Sequence, residues 1–245
     1  MPDPSPRVGV IVPAAGAGRR LGLNTVKALA SLGDQPLLAW ALAGVEANRC
    51  VQSVVVVTHP STADIVANLV TVRGFGKVVA VVPGGPTRRA SVAAGVAALP
   101  PEPSYVAVHD VCRPLVAPGA IDRLLESLQG MEDRYGIAPG APVTDTVRRV
   151  AEDDCSGGIV DREELRAIQT PQLFLRAALE EAHRRAVAGA DLDDVVLVER
   201  AGYPVAVVRG GPENLKITTP LDLLAAEALL ARGAVGGTEP AGARP

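Results

Sequence analysis

The chain begins with a short apolar run followed by a loop that has almost no side chains. The run from Val8 to Val12 is rich in β-branched residues and has no polar alternation, which is typical of a strand buried on both faces of a parallel sheet. The loop consists of Pro13, Ala14, Ala15, Gly16, Ala17 and Gly18. Such a loop lets another molecule approach its amides, and Arg20 and Lys27 beyond it can add the charge that a polyphosphate needs. The stretch predicts a nucleotide-binding loop.

The glycine spacing excludes some of the well-known nucleotide sites. The third glycine is Gly22, which gives G-x-G-x-x-x-G and not the dinucleotide spacing G-x-G-x-x-G. No G-x-x-x-x-G-K-[ST] occurs, so the chain is not a phosphate-loop ATPase. On the residues alone, a tight strand-to-helix turn without a ligand remains an alternative.

Strand-like and helix-like segments alternate over the first half of the chain. The predicted strands are Val8 to Val12, Ser53 to Thr58, Lys77 to Val82 and Tyr105 to Val108. The predicted helices are Pro36 to Glu46, Thr62 to Val72, Arg89 to Ala98, and Ala117 to Gln129 with Pro118 in its first turn. This alternation predicts a Rossmann-like α/β fold, with a mostly parallel sheet and helices on both faces.

The alternation stops between Ile137 and Gln169. Short β-prone pieces replace it, namely Ala141 to Val143, Thr146 to Val150, Gly158 to Val160 and Arg166 to Gln169. Paired runs around the acidic turn AEDDCSGG predict a protruding two-stranded β-arm over about 141–169. Such an arm cannot bury both faces alone, so we expect a second subunit to cover it in a homodimer. Packing of the arm on its own domain is the alternative.

The last third of the chain returns to helices and one strand. The predicted elements are a helix from Phe174 to Ala188, a helix that begins at Asp191, Asp193 and Asp194 and runs through Val198, a strand from Val205 to Val208, and a helix from Pro220 to Arg232. Residues 1–232 are predicted to form a single domain. The tail, 233–245, has too little apolar content to order itself and is predicted to be disordered.

Composition limits the partners that the chain can have. The formal net charge of -3 argues against a general binder of nucleic acid or of a membrane surface. No apolar segment approaches the roughly 18 residues of a membrane span, and the N-terminus MPDPSPR lacks a basic region followed by an apolar one. The 3 cysteines are too scattered for a zinc site, and their odd number fits a reducing compartment. We therefore expect a cytoplasmic protein.

Further motifs follow the predicted strands. They are Gly84-Gly85-x-x-Arg88-Arg89-x-Ser91, Val108-His109-Asp110-x-x-Arg113-Pro114, Ala141-Pro142-Val143-x-Asp145-Thr146, Gln169-Thr170-Pro171-Gln172 and Asn214-x-Lys216-Ile217-Thr218. The second lies where open α/β sheets bind their ligands. Cys112 stands near His109, which leaves a Cys–His nucleophile or a small buried thiol as alternatives.

Together, and in this order from about Val8 to about Arg232, these motifs resemble the methylerythritol phosphate cytidylyltransferases, and more widely the sugar-phosphate cytidylyltransferases of the same nucleotidyltransferase fold. The resemblance implies transfer of CMP from CTP to 2-C-methyl-D-erythritol 4-phosphate. The products are CDP-methylerythritol, a precursor on the isoprenoid pathway, and pyrophosphate. It also implies Mg²⁺, held chiefly through the CTP phosphates, with Asp110 as a candidate for its outer shell and no protein residue assigned as a direct ligand.

The resemblance assigns roles to residues of this chain. Arg20 and Lys27 match the residues that stabilise the charge of the transition state, Arg162 matches an arm arginine that reaches the substrate phosphate of the neighbouring subunit, and Lys216 matches the lysine that positions the same group. CTP would be held by Pro13, Ala14, Ala15, Gly16, Ala17, Gly18, Gly84, Gly85 and Ser91. The polyol phosphate would be held by Asp110, Arg113, Thr146 and Thr170.

Several of these residues also have structural interpretations. Arg162 can be a solvated arm residue, Lys216 can pair with Asp222 at a helix start, and His109 can be a packed histidine at a strand end. His59 and His183 are interpreted as ordinary surface residues.

The chain departs from the family pattern at three places. Val26 replaces a proline before Lys27, Val111-Cys112 replaces two alanines, and Leu192 replaces a threonine before Asp193. The bulkier pair would narrow the space beside the substrate. Two alternatives therefore stay open: a ribitol 5-phosphate cytidylyltransferase, and a catalytically weakened paralogue that binds nucleotide in a regulatory or scaffolding role.

Overall fold

A mixed sheet of 8 strands forms the centre of the protein. The computed structural model describes residues 7–16, 18, 21–22, 26–186 and 193–233. The strands are β1 (Val8–Ala14), β4 (Val51–Thr58), β5 (Val78–Pro83), β6 (Tyr105–Val108), β7 (Gly136–Pro142), β10 (Arg166–Ile168), β11 (Gln172–Leu175) and β12 (Val205–Arg209). Their order is β10-β7-β11-β6-β1-β4-β5, with β12 paired to β7. Strands β6, β1, β4 and β5 are parallel, whereas β11 is antiparallel to both of its neighbours.

Helices cover both faces of this sheet. Helices α1 (Leu37–Glu46), α2 (Ala63–Arg73) and α4 (Ala120–Gln129) pack on the face to which Val8, Val10 and Val12 point. Helices α3 (Arg88–Ala98), α5 (Arg176–Arg185) and α6 (Asp194–Arg200) pack on the face of Ile11. Side chains of a strand alternate between faces, so the uninterrupted apolar run of β1 supplies both cores. The predicted α/β fold is confirmed.

Two further elements lie beside this body. Helix α7 (Pro220–Ala231) packs with Leu37, Trp40 and the short hairpin of β2 (Ser31–Leu32) and β3 (Gln35–Pro36). Strands β8 (Val147–Val150) and β9 (Ser156–Val160) form a separate antiparallel pair, which we call the arm. Most of its residues are exposed in the single chain, including Val150 and Ile159 at 66% and 67%.

The structure corrects the predictions in the antiparallel half of the sheet. The arm is shorter than 141–169, because the pieces at its two ends belong to β7 and β10 of the central sheet. The helix predicted from Phe174 begins only at Arg176, since Phe174 is fully buried in β11. Helix α4 begins at Ala120, after Gly119 with a φ of 73°, so Pro118 precedes the helix.

Some predictions fall on residues outside the described ranges. These are the end of the helix predicted to Ala188, the helix start at Asp191, the departure from the family pattern at Leu192, the residues 234–245 of the tail, and the loop residues Ala17 and Arg20. No helix of the described ranges is long and apolar enough to cross a membrane.

Candidate active site

A cleft of about 690 Å³ opens at the carboxyl ends of the parallel strands. Loops after β1, β4, β5 and β6 line it, together with the segment before α7 that contains Lys216. Because parallel strands end at one edge, motifs that are far apart in sequence meet there. Of the residues predicted for CTP, the cleft is lined by Pro13, Ala15, Gly16, Gly18, Gly85 and Ser91. Ala14 is instead buried in β1. Gly84 does not line the cleft and packs closely against Ala15 and Ser91, which do.

The first wall of the cleft is made of backbone. A Cβ added at Gly16 would meet no atom of the described residues within 4 Å, so no described contact requires a glycine at this position. Gly18 has a φ of 66°, and a Cβ there would lie 3.2 Å from the Cβ of Lys27. The Lys27 amide donates to the Gly16 carbonyl at 3.2 Å. The loop therefore folds back and holds Lys27 on the cleft.

The second wall is the turn from β5 into α3. The Gly84 amide donates to the Thr58 carbonyl at 2.7 Å, and the Gly85 amide donates to Ser91 Oγ at 3.2 Å. The Ser91 hydroxyl in turn donates to the Thr87 carbonyl at 3.0 Å. The Ser91 hydroxyl thus also holds the loop in shape, a role that its sequence-based assignment to CTP binding did not include.

Three charged side chains lie at the floor of the cleft. Asp110 Oδ2 lies 2.9 Å from Lys216 Nζ, and Asp110 Oδ1 lies 3.2 Å from Arg88 Nη2. Burial alone would raise the pKa of the Asp110 carboxyl, but Arg88 and Lys216 lower it well below its usual range. The carboxylate is therefore ionised at neutral pH. The alternative that Lys216 pairs with Asp222 is wrong, because the Lys216 ammonium pairs with Asp110 and Asp222 instead caps α7 together with Thr219.

A second, smaller cleft of about 280 Å³ adjoins the first and shares Arg88, Asp110 and Lys216 with it. Arg113 and Thr170, both predicted for the polyol phosphate, line this smaller cleft. Gln172, Asp193 and Val196 line it as well, and the sequence assigned no role to them.

Arg113 also connects the segment before α7 with the end of β10 through hydrogen bonds. Its Nη1 donates to the Asn214 carbonyl at 2.6 Å and its Nη2 to the Ile168 carbonyl at 3.2 Å. Asn214 Nδ2 donates to the Thr170 carbonyl at 2.8 Å. These bonds place the segment that carries Lys216 against the end of β10, so that Lys216 can reach Asp110.

His109 is a neutral, packed side chain. Its Nε2 lies 3.1 Å from the Arg113 carbonyl, which can only accept, so Nε2 carries the proton and Nδ1 accepts from the Thr170 hydroxyl at 3.1 Å. The Asp110 amide donates to the same hydroxyl at 3.0 Å. Complete burial lowers the pKa of His109 to about 4. The packed interpretation of His109 is the one that the geometry supports.

Cys112 has the properties of a buried thiol. It is 7% exposed, and burial followed by the nearby Asp110 raises its pKa. Both ring nitrogens of His109 are engaged elsewhere, so His109 does not activate it as a nucleophile. Val111 and Cys112 line the larger cleft and not the smaller one.

Of the two histidines interpreted as surface residues, His183 has a buried side chain and His59 is exposed. The His183 side chain is only 7% exposed and its Nε2 lies 3.1 Å from Asp194 Oδ1, so that interpretation is wrong. His183 is one helical turn from buried Leu179 on α5, and this spacing was the signal for it. His59 is exposed but lines the larger cleft, and its position directly after β4 was the signal for it.

Two residues predicted for the site lie elsewhere in the single chain. Arg162 follows the arm, where its Nη1 donates to the Thr144 carbonyl and its Nε lies 3.6 Å from Glu163. Thr146 is exposed at the start of the arm. Neither lines the two clefts described above. The structure brings Lys27, Asp110 and Lys216 together and leaves Arg162 and Thr146 apart from them.

The described residues contain no group of three or more metal-ligating side chains that could hold an ion. Both carboxylate oxygens of Asp110 are occupied by Arg88 and Lys216. A divalent cation in this cleft would therefore need its oxygen ligands chiefly from a bound phosphate, with Asp110 at most in its outer shell.

The comparisons with known proteins agree with this geometry. A family model of 2-C-methyl-D-erythritol 4-phosphate cytidylyltransferase matches residues 8–232. The chain belongs to this family. The enzyme of that name from Streptomyces coelicolor is 42% identical over 92% of this chain and 86% of its own length. Its counterpart from Pelotomaculum thermopropionicum is 41% identical over 91% and 94%.

Solved structures of the 2-C-methyl-D-erythritol 4-phosphate cytidylyltransferase family share the fold. The enzyme from Thermus thermophilus superposes with a TM-score of 0.71 at 36% identity, over 91% of this chain and 98% of its own. The 4-diphosphocytidyl-2C-methyl-D-erythritol synthase from Anaerococcus prevotii gives a TM-score of 0.80 at 26% identity, over 93% and 99%. The family and the nucleotidyltransferase class predicted from the motifs are confirmed.

Proposed function

We propose that the chain transfers CMP from CTP to 2-C-methyl-D-erythritol 4-phosphate, giving CDP-methylerythritol and pyrophosphate. Family membership indicates the reaction, and one observation in the structure supports it most strongly. A backbone-lined cleft that carries Lys27 adjoins a smaller, polar cleft, and Asp110, Arg88 and Lys216 lie on both. Two anionic substrates can therefore meet at the shared boundary.

CTP would occupy the larger cleft with its triphosphate along the glycine loop. The amides near Gly16 and Gly18 and the cation of Lys27 suit a phosphate chain, and the wall at Gly85 and Ser91 is left for the nucleoside. Arg20, from the same loop by sequence, would add a second cation. Bound Mg²⁺ would neutralise part of the phosphate charge, held chiefly by the phosphates themselves.

The polyol phosphate would occupy the smaller cleft. Asp110 and Thr170 would accept hydrogen bonds from its hydroxyls, and Lys216 would hold its phosphate at the boundary. One phosphate oxygen then attacks the α-phosphorus of CTP, a new P–O bond forms, and the bond from the α-phosphorus to the bridging oxygen breaks as pyrophosphate leaves. No general base is needed, because the attacking phosphate is already ionised at neutral pH.

Charge grows on the oxygens around the α-phosphorus during this step. Lys27 and Arg20 would stabilise it, and loss of one such fixed cation typically costs about 10² to 10³ in rate. Arg162 and Thr146 would serve the site of a second subunit, which makes a homodimer part of the proposal. A cytoplasmic location is proposed as well, since the odd cysteine count fits a reducing compartment.

The test is pyrophosphate release from CTP and magnesium with 2-C-methyl-D-erythritol 4-phosphate or ribitol 5-phosphate. We expect fast release with the first and little with the second. Faster release with ribitol 5-phosphate would change the substrate but not the reaction. Release with neither, from protein that still binds CTP, would leave the nucleotide-binding paralogue.

A further inference from the structure

Asp194 is a fully buried carboxylate that neither cleft touches. It is the first residue of α6, next to the Asp193 cap. Its Oδ2 lies 2.7 Å from Arg88 Nη1, and its Oδ1 lies 3.1 Å from His183 Nε2. A carboxylate oxygen can only accept, so His183 donates from Nε2.

The Arg88 guanidinium forms hydrogen bonds with two carboxylates, those of Asp194 and Asp110. Its Nη1 bonds to Asp194, while its Nη2 and Nε point to Asp110 Oδ1 at 3.2 Å and 3.4 Å. A planar guanidinium with two carboxylate partners has its position and its plane fixed. Asp194 and Asp110 raise the pKa of Arg88 despite its burial, so it stays charged.

Arg88, Asp110 and Lys216 form the boundary between the two clefts. Arg88 lies on both of them, and Asp110 reaches Lys216 with the oxygen that Arg88 leaves unused. Without Asp194, Arg88 keeps a single carboxylate partner. It can then tilt, and Asp110, which is bonded to it, can rotate away from Lys216.

We propose that Asp194, backed by His183, is a positioning residue for nucleotidyl transfer. By holding Arg88 it fixes Asp110 and Lys216 in the arrangement that receives the polyol phosphate. The chain of contacts runs from α5 through α6 and α3 to the end of β6. Helices α5 and α6 are consecutive, whereas α3 and β6 lie far from them in sequence. This inference rests on the proposed function.

The first test is a split in kinetic constants. Asp194→Asn should raise the KM for the polyol phosphate and lower kcat, together at least tenfold in kcat/KM, because small displacements of positioned groups are costly. The KM for CTP should change by less than about twofold, because the glycine loop and Lys27 are held by other contacts. His183→Leu should act in the same direction, and His183→Gln, which keeps a donor, should restore most of the activity.

Glu180→Gln is the matched control on α5. Glu180 pairs with Arg176 outside this network, so all kinetic constants should stay at the wild-type values. Equal changes in both KM values with Asp194→Asn, or no rescue by His183→Gln relative to His183→Leu, would overturn the proposal. If Asp194→Asn fails to fold, the two His183 variants decide the question.

A second readout does not need activity. The Arg88 Nε–H resonance, assigned by its loss in Arg88→Lys, should exchange slowly with solvent in the wild type and in His183→Gln, and at least tenfold faster in Asp194→Asn or His183→Leu. Unchanged exchange would contradict the positioning role. An inactive wild type with slow Arg88 exchange would refute the proposed function alone.

Discussion

The two sides of the candidate active site differ in which groups face the cleft. On the side of the glycine loop, the described residues that line the cleft are small loop residues and the cation of Lys27, and a Cβ at Gly16 would contact none of the described residues within 4 Å. On the side of β6, Asp110, Arg88 and Lys216 form a chain of charged side chains. The first side should be sensitive to added atoms, whereas the second should be sensitive to lost charge.

Lys27 is a charged side chain on the glycine-loop side of the cleft, and its removal should have the largest effect on activity. Lys27→Ala should lower kcat by about 10² to 10³, since it removes a fixed cation at the reacting phosphate. The free energy of unfolding should change far less, because alanine keeps the Cβ that packs against Gly18. Steady-state kinetics and urea unfolding measure the two. Arg73→Ala, an exposed cation on α2, is the control, and unchanged turnover with Lys27→Ala would remove Lys27 from the site.

His109 makes the side-chain half of the site sensitive to pH. Its pKa is near 4 in the fold against about 6.5 when unfolded, so the unfolded chain takes up a proton first as the pH falls. The resulting stability is complete above about pH 6.5 and is lost toward pH 4, by about 3 kcal/mol. The lowered pKa of Asp110 acts in a different window, below about pH 4.

NMR titration of the imidazole provides the direct check on His109. Its ring should remain neutral at pH 5.5, and urea unfolding of the wild type should weaken over this range more than that of His109→Gln. A ring that titrates near pH 6.5 in the folded protein would contradict the assignment.

Asp110→Asn tests the dependence on charge. It leaves Arg88 and Lys216 without their shared carboxylate and should cost roughly 2 to 3 kcal/mol of unfolding free energy, less than a fully buried pair because Lys216 is half-exposed. Urea unfolding measures this loss. Asp64→Asn, an exposed carboxylate in the first turn of α2, should cost well under about 1 kcal/mol. Equal losses in the two variants would mean that the ion pairs of Asp110 add nothing to the free energy of unfolding.

Gly16→Ala tests the dependence on added atoms. Because a Cβ at Gly16 would meet no described residue within 4 Å, the melting temperature should not change, while the KM for CTP should rise about tenfold, or about 1.4 kcal/mol. Gly76→Ala, an exposed turn glycine with equally open surroundings, is the matched control. A wild-type KM for CTP in Gly16→Ala would show that no ligand approaches this backbone.

Val26→Pro gives the smallest effect. Val26 already has a φ of -61°, the value that proline fixes, and no described residue accepts a hydrogen bond from its amide. The variant should gain about 0.4 to 1 kcal/mol in unfolding free energy with unchanged kinetics. Differential scanning calorimetry would detect the gain. A loss of stability would mean that the loop needs a backbone conformation at residue 26 that proline does not allow.

The sequence predicted the backbone side better than the side-chain side. The glycine loop follows an apolar strand directly, so local pattern was enough to place it. Strand β7, GIAPGAP, has two prolines and low β-propensity, and only its neighbours in the sheet make it a strand. The contact between Arg88 and Asp194 joins residues 106 positions apart, which no local pattern can show. The boundaries of the single domain, the metal and the homodimer stay predictions.

The central claim is that an oxygen of the polyol phosphate attacks the α-phosphorus of CTP at the boundary of the two clefts. Mass spectrometry of a reaction with 2-C-methyl-D-erythritol 4-phosphate carrying ¹⁸O in all its phosphate oxygens tests this most directly. Every labelled oxygen should appear in CDP-methylerythritol and none in pyrophosphate. Label in pyrophosphate, or formation of CMP with the labelled substrate unchanged, would contradict the claim.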